Sequence, residues 1–287
     1  MKRVIFSIGL CFCIGFTAIA QDSDATNTNK RGVYLLPEAG NFAIGIDAEP
    51  IFYYLGNFFS TSLSDAPYFD SYKNTVYGKY FLRNNRALRT RLAFGMGNTT
   101  NKSYVTDHVK FLADPTTEDK VIDIEHNLYF DVEFGIGYEF RRGKGRVQGF
   151  YGGEISFGAG NEKQSWCRGN YMTSDVRTPF TCTNFTTGAY SQQGTRTTEI
   201  KSGTMLFAGL SCFVGAEYFF APKISIGGEF GLGVAFSTAD KSEVTTETWN
   251  ATDNTYQVKS VKSFSPLPRT IAAGKLTGGK IFIMFHF

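Results

Sequence analysis

The sequence predicts an all-β protein: an eight-stranded, antiparallel, up-and-down transmembrane β-barrel with long extracellular loops. Three observations predict it. Segments alternate bulky apolar residues with small or charged ones at a period of two, the connections between them alternate short and long, and the chain opens on an export signal. Composition agrees: 28 Phe, 15 Tyr and 31 Gly in alternating segments point to strands and turns rather than helices. The net charge of +3 comes without a Lys/Arg run, so no phosphate-binding patch is expected and nucleic acid is not an expected partner.

Residues 1–20 read as a signal peptide. Lys2 and Arg3 form a basic start, residues 4–16 an apolar stretch, and Ala18-Ile19-Ala20 a cleavage site before Gln21. The apolar stretch is shorter than the roughly 20 residues of a spanning helix. Residues 21–40 are then a periplasmic N-terminal segment and residues 41–287 an outer-membrane β-barrel.

The strands follow in order. Residues 42–52 place Phe42, Ile44 and Ile46 opposite Gly45, Asp47 and Glu49. Residues 76–82 lead through Asn84-Asn85-Arg86 into 87–97, where Leu88, Leu92, Phe94 and Met96 oppose Arg89 and Arg91. Residues 128–140 set Phe130, Phe134 and Ile136 against Asp131, Glu133 and Glu139, and residues 147–158 set Ile155 and Phe157 against Glu154. Residues 206–220 oppose Leu210 and Tyr218 to Glu217; residues 223–237 oppose Ile226, Phe230 and Leu232 to Glu229. A last strand near 275–287 carries Ile281, Ile283, Phe285 and Phe287 on one face. A soluble sandwich would bury its bulky face and wet its charges. Here bulk faces oil and the small, charged face turns inward, as in a transmembrane strand.

Three connections are short, at 84–86, 141–145 and 221–222; four are long, at about 55–73, 99–120, 160–199 and 239–274. Short turns face the periplasm and long loops the exterior. Residues 241–263 alternate too, but with Thr, Lys and Glu on both faces, so they read as a hairpin protruding into the medium around 251–254. Residues 102–111 read as a strand continuing past the membrane, and ten strands is the alternative count. The apolar segment 51–59 suits an aromatic girdle or an interfacial turn.

Cys167 and Cys182 lie close together in a polar exported segment, which suggests a disulfide bracing loop 160–199. Cys212 reads as a small buried hydrophobe. Inside the barrel, Lys79, Arg89 and Arg91 face Glu133, Glu139, Glu154, Glu217 and Glu229, together with Asp47, Glu49 and Asp131. An eight-stranded interior is just wide enough for side chains to fill, so a packed charge network is expected; a narrow proton or ion path is the sharper alternative. No catalytic, metal or cofactor set is predicted. His108 with Ser103 and Asp107 nearby, His126, and His286 do not assemble into a Ser–His–carboxylate group.

The pattern resembles the small outer-membrane barrels of the OmpA and OmpX type, and more closely the Bacteroidetes porin-like barrel families. Residues 36–59, the hairpin 214–236 and the terminal "KIFIMFHF" carry the resemblance. It implies that Ile281, Ile283, Phe285 and Phe287 form a C-terminal signal read by the barrel-assembly machinery during insertion into outer-membrane lipid. The expected function is non-enzymatic: extracellular loops presented for adhesion, envelope integrity or assembly with a protein partner in a larger outer-membrane complex. The alternative is a narrow porin-like channel; an outer-leaflet lipid-modifying enzyme is less supported.

Overall fold

A computed structural model describes residues 35–48, 74–262, 269–273 and 278–287. The signal peptide, Glu49, segment 51–59 and loop 55–73 lie outside the described residues. Fourteen strands and one helix are described: β1 (Phe42–Asp47), β2 (Asn74–Arg83), β3 (Arg86–Thr106), α1 (His108–Ala113), β4 (Lys120–Lys144), β5 (Val147–Cys167), β6 (Phe180–Asn184), β7 (Ala189–Gln192), β8 (Thr195–Lys201), β9 (Met205–Ala221), β10 (Ile224–Ala239), β11 (Glu243–Asn250), β12 (Thr255–Lys262), β13 (Arg269–Ala273) and β14 (Gly278–His286).

Eight of these close a ring. β1 pairs β2, and antiparallel pairing then runs through β3, β4, β5, β9, β10 and β14 back to β1. The ring is the predicted up-and-down barrel of eight strands. Its tight turns fall at 84–85, 145–146 and 222–223, the first within the predicted 84–86 and the other two running one residue past the predicted 141–145 and 221–222. Gly145 and Lys223 adopt positive φ at these turns.

The structure refines the connections. β3 and β4 form one long ladder from Arg86↔Phe140 to Thr106↔Lys120, so residues 99–106 of the predicted loop 99–120 are ribbon, tipped by α1. Loop 160–199 contains the end of β5, the β6–β7 hairpin and most of β8. The last strand is preceded by β13, which pairs with β10 farther along the same strand. The hairpin expected within 241–263 is β11–β12, turning at 251–254.

Facing follows the predicted parity. Outside, Phe42, Ile44, Leu92, Met96, Phe134, Phe157, Leu210, Val214, Phe230, Leu232, Ile281 and Phe285 are all exposed. A contiguous apolar belt of this extent is not tolerated on a monomer in water. At the turn end, Phe42 stacks on Phe287 with centroids 5.0 Å apart, and Phe140 on Tyr151 at 5.4 Å. These rings form an interfacial aromatic girdle. Cys212 sits on this outer face, exposed, which corrects the expectation of a buried thiol: its parity matches Leu210 and Val214.

The inner face explains why Gly and Phe are both so frequent. An inward glycine repeatedly stands directly across from an inward aromatic: Gly97 from Tyr129, Gly152 from Phe213, Gly158 from Phe207, Gly227 from Phe282. The ring lies over the glycine. A Cβ at Gly158 would come within 2.1 Å of the Phe207 ring, and one at Gly97 within 2.2 Å of Tyr129. This is aromatic rescue of strand glycine, and it fills a lumen too narrow for two full side chains abreast. Outward Gly228 has no such reason; its nearest neighbour would lie 3.8 Å away.

Candidate functional site

Two regions carry polar chemistry: the charged lumen and the rim at the loop end. In the lumen, strand alternation brings cations and carboxylates from different strands to one axis. Near the turns, the buried Glu217 of β9 receives Lys79 (3.4 Å), Arg141 (2.7 Å) and His286 (3.2 Å), while Glu139 takes Lys79 (3.0 Å) and Arg141 (2.9 Å). Ser225 donates to Glu217 and lies 2.9 Å from His286 Nε2. Half-way along, Arg89 donates twice to Glu229, at 2.8 and 3.1 Å, and its Nε lies 3.2 Å from Glu154. Arg91 donates to Glu154 at 2.8 Å and pairs with Glu133.

Aromatic rings occupy the space around these charges. Lys79 lies 4.7 Å from the Phe150 ring centroid and 5.1 Å from Phe282; Arg89 lies 4.0 Å from Phe213. Tyr77, Phe81, Phe150, Phe213, Phe282 and Met284 are buried as one cluster. A cavity of about 20 Å³ remains beside Arg89, Arg91, Glu154, Glu229 and Lys280. That is room for about one water.

All eight residues expected in the network are buried and ion-paired. Sequence reasoning missed Arg141, Lys280 and His286. Arg141 shares the parity of Glu133 and Glu139, but the reading ended that strand at Phe140. Lys280 and His286 alternate with the outward row Ile281, Ile283, Phe285 and Phe287, so the same periodicity marks them as inward. Their inclusion reduces the carboxylate excess expected from the sequence.

Ser225, His286 and Glu217 invite comparison with a hydrolase triad, and their geometry rejects it. Serine and carboxylate both approach Nε2, whereas a relay needs them on opposite ring nitrogens. All three are also buried.

At the rim, a different chemistry holds the chain. Asp123, fully buried on the inner face of β4, accepts from the backbone N–H of Gly169 and of Cys182, both at 2.8 Å, and from Arg168 at 3.4 Å. Asn170 accepts from His108 N–H (3.0 Å) and donates to the carbonyls of Thr106 (2.9 Å) and Phe180 (3.0 Å). Phe180 N–H donates to His108 Nδ1 at 3.1 Å, and the His108 ring packs on Phe180 at 4.6 Å. Burial therefore pushes the His108 pKa below the ordinary imidazole value, although nearby Asp107 pulls the other way. Asp107 caps α1 by accepting from Val109 and Lys110, so it does not serve His108 as a catalytic partner. His126 meets Thr100 across the ladder at 3.0 Å. Arg196 pairs with Glu247 and donates to Thr181 at 3.1 Å, joining β8, β11 and β6.

The expected Cys167–Cys182 disulfide is not formed; both are free thiols. Alternation is the physical reason. Cys167 stands across from Ile124 and is exposed, whereas Cys182 is buried where its backbone meets Asp123, the residue of opposite parity. Asp123, Arg168 and Asn170 fasten the loop instead.

No protein-family model matches the chain, and no curated protein matches it. Among solved structures, it is similar to Ail, the attachment invasion locus protein of Yersinia pestis, with 11% identity and a TM-score of 0.31 over 87% of this chain and 99% of that one. It is similar also to a major outer membrane protein of Thermus thermophilus, with 11% identity and a TM-score of 0.31 over 86% and 98%.

Proposed function

We propose that the chain is a non-enzymatic integral outer-membrane β-barrel whose lumen is closed and whose folded rim is presented to the exterior, for adhesion, envelope integrity or assembly with a protein partner in a larger complex. Residues 1–20 direct export and are cleaved. Insertion proceeds through the barrel-assembly machinery, with Ile281, Ile283, Phe285 and Phe287 as the C-terminal signal, and the apolar belt contacts outer-membrane lipid.

The observation that carries this reading is the filled interior. Ion pairs and rings occupy the axis, and the cavity beside Arg89, Arg91, Glu154 and Glu229 holds about a single water. Such a barrel anchors; it does not conduct. The rim in contrast is ordered by buried hydrogen bonds yet exposes Tyr171, Val109, Leu112 and Tyr104. Exposed aromatic and aliphatic residues on a fixed scaffold suit recognition.

Purified protein is expected to migrate differently in unboiled and boiled detergent gels and to give no conductance steps in planar bilayers. Steps that disappear in Glu154→Gln or Glu229→Gln would replace this reading with the channel.

A further inference from the structure

The outer surface carries its charges differently at its two ends. Beyond the belt at the loop end the signs are mixed: Lys163 and Lys201 both pair with Glu199, at 2.8 and 2.7 Å. At the turn end Arg83, Arg86, Arg142, Arg146 and Lys223 gather on three tight turns. Among the described residues, Glu38 is the one acidic side chain exposed there. Glu139 and Glu217 lie inside the lumen, where Lys79 and Arg141 already meet them.

Parity turns two of these cations onto the lipid-facing surface. Arg86 alternates with outward Leu88, and Arg142 with outward Phe140. Arg86 stands across from Phe140, its Cζ 5.8 Å from the ring centroid. Arg142 is the diagonal neighbour of Arg86, roughly 7–8 Å away between Cα atoms. Both sit beside the Phe140–Tyr151 stack, where the barrel passes from hydrocarbon to headgroups. Cations pointing sideways at that depth meet lipid headgroups before any soluble partner. Arg146 follows on the same turn, steadied by donating to the Phe220 carbonyl at 3.1 Å.

An apolar groove starts at the same place. Arg142 stands across from Gly149, Gly149 from Ala216, and Ala216 from Gly228. Bulkier residues bound this line on both sides, Tyr151, Val214 and Phe230 on one and Val147, Tyr218 and Ile226 on the other. Because the strands tilt, the line begins beside the turn at Arg142 and lies deeper in the belt at Gly228. There a hollow of about 620 Å³ opens on the outer surface, lined by Val214, Ala216, Gly228, Phe230, Gly279 and Ile281.

We propose that Arg86 and Arg142 hold the phosphate of an anionic phospholipid of the periplasmic leaflet, one of whose acyl chains lies in the hollow beside Gly228. This rests on the membrane reading above and names a lipid class for one place on the belt. Guanidinium forks suit a phosphate, which they grip through paired N–H donors. Charge selects among phospholipids: a zwitterionic headgroup brings its own ammonium to a surface that already has an excess of cations, whereas a headgroup of net negative charge offsets that excess.

The test uses full-length mature protein in mixed micelles with equimolar phosphatidylglycerol and phosphatidylethanolamine, the retained lipid being read by native mass spectrometry and the barrel by its heat shift on gels. Phosphatidylglycerol should be retained with a preference on the order of tenfold. Arg86→Gln/Arg142→Gln should remove the preference and keep the heat shift, whereas Lys163→Gln/Lys201→Gln at the loop end should leave it intact. Gly228→Leu, which fills the hollow, should reduce retention of both lipids. Equal retention by the parent, a preference that survives Arg86→Gln/Arg142→Gln, or one lost equally in Lys163→Gln/Lys201→Gln would overturn the headgroup site. Displacement by inorganic phosphate beyond that by chloride at equal ionic strength would put a free anion there instead of a lipid. Undiminished retention by Gly228→Leu would overturn the place of the acyl chain. Protein that keeps its heat shift without the preference overturns this site alone; a parent chain with no heat shift overturns the membrane reading beneath it.

Discussion

The lumen and the rim both bury polar groups, but by different means. In the lumen, full charges meet full charges: Glu217 sits among Lys79, Arg141 and His286. At the rim, the buried carboxylate of Asp123 is met mostly by backbone N–H groups, and Asn170 bridges neutral carbonyls. The lumen joins strands that the ring already fixes, so its network locks cross-section. The rim joins segments with no ladder between them, so its hydrogen bonds define shape where strand pairing runs out.

The difference can be broken most forcefully at Glu217. Glu217→Ala leaves Lys79, Arg141 and His286 with Glu139 as the one remaining carboxylate that Lys79 and Arg141 share, an excess of buried positive charge, and stability is expected to fall by about 3–5 kcal/mol. The urea midpoint for loss of the heat-shifted band measures this. A paired glycine comparison sharpens the account of the lumen. Gly158→Ala drives a methyl into the Phe207 ring and should cost about 1–3 kcal/mol, whereas Gly228→Ala should change the midpoint by less than about 0.5 kcal/mol. Equal effects would break the socket explanation.

At the rim the consequences are local. Asp123→Ala strands the Gly169 and Cys182 N–H groups, a loss of about 1–3 kcal/mol confined to segment 168–192. Limited proteolysis should cut that segment faster while the barrel band persists. The smallest effect is pH-dependent. The folded rim favours neutral His108, whose Nδ1 accepts from Phe180, so its pKa lies below the unfolded value. The stabilisation is complete above about pH 6.5, the ordinary imidazole value, and declines as pH falls below it. The protection factor of the Phe180 amide, its exchange rate taken relative to the intrinsic rate at the same pH, should fall between pH 7.5 and pH 5 (on the order of two units across that value), and His108→Gln should flatten the profile.

How legible this was in the sequence divides along the same line. The ring strands were readable because hydrocarbon outside and a narrow lumen inside impose a strict two-residue alternation, as in 223–237 with Glu229 between Phe230 and Gly228. Arg141 obeyed that alternation and was lost only by ending the strand early. The rim offered no such period. β8 finds β5 and β11 across long stretches of sequence, and nothing local in "TRTTEIK" announces either partner. α1 was read as continuing strand because six residues barely show a helical period, although Asp107 ahead of it is a strong capping residue. The cysteine spacing suggested a bridge that parity places on opposite sides of β4.

The ring-over-glycine arrangement also constrains how such a chain can diverge. A substitution that fills one of these hollows, or removes the ring above it, must be answered on the adjacent strand before the tube can close again. Lineages descended from this molecule should therefore exchange Gly158 and Phe207, or Gly97 and Tyr129, two at a time, while the greasy exterior drifts one residue after another.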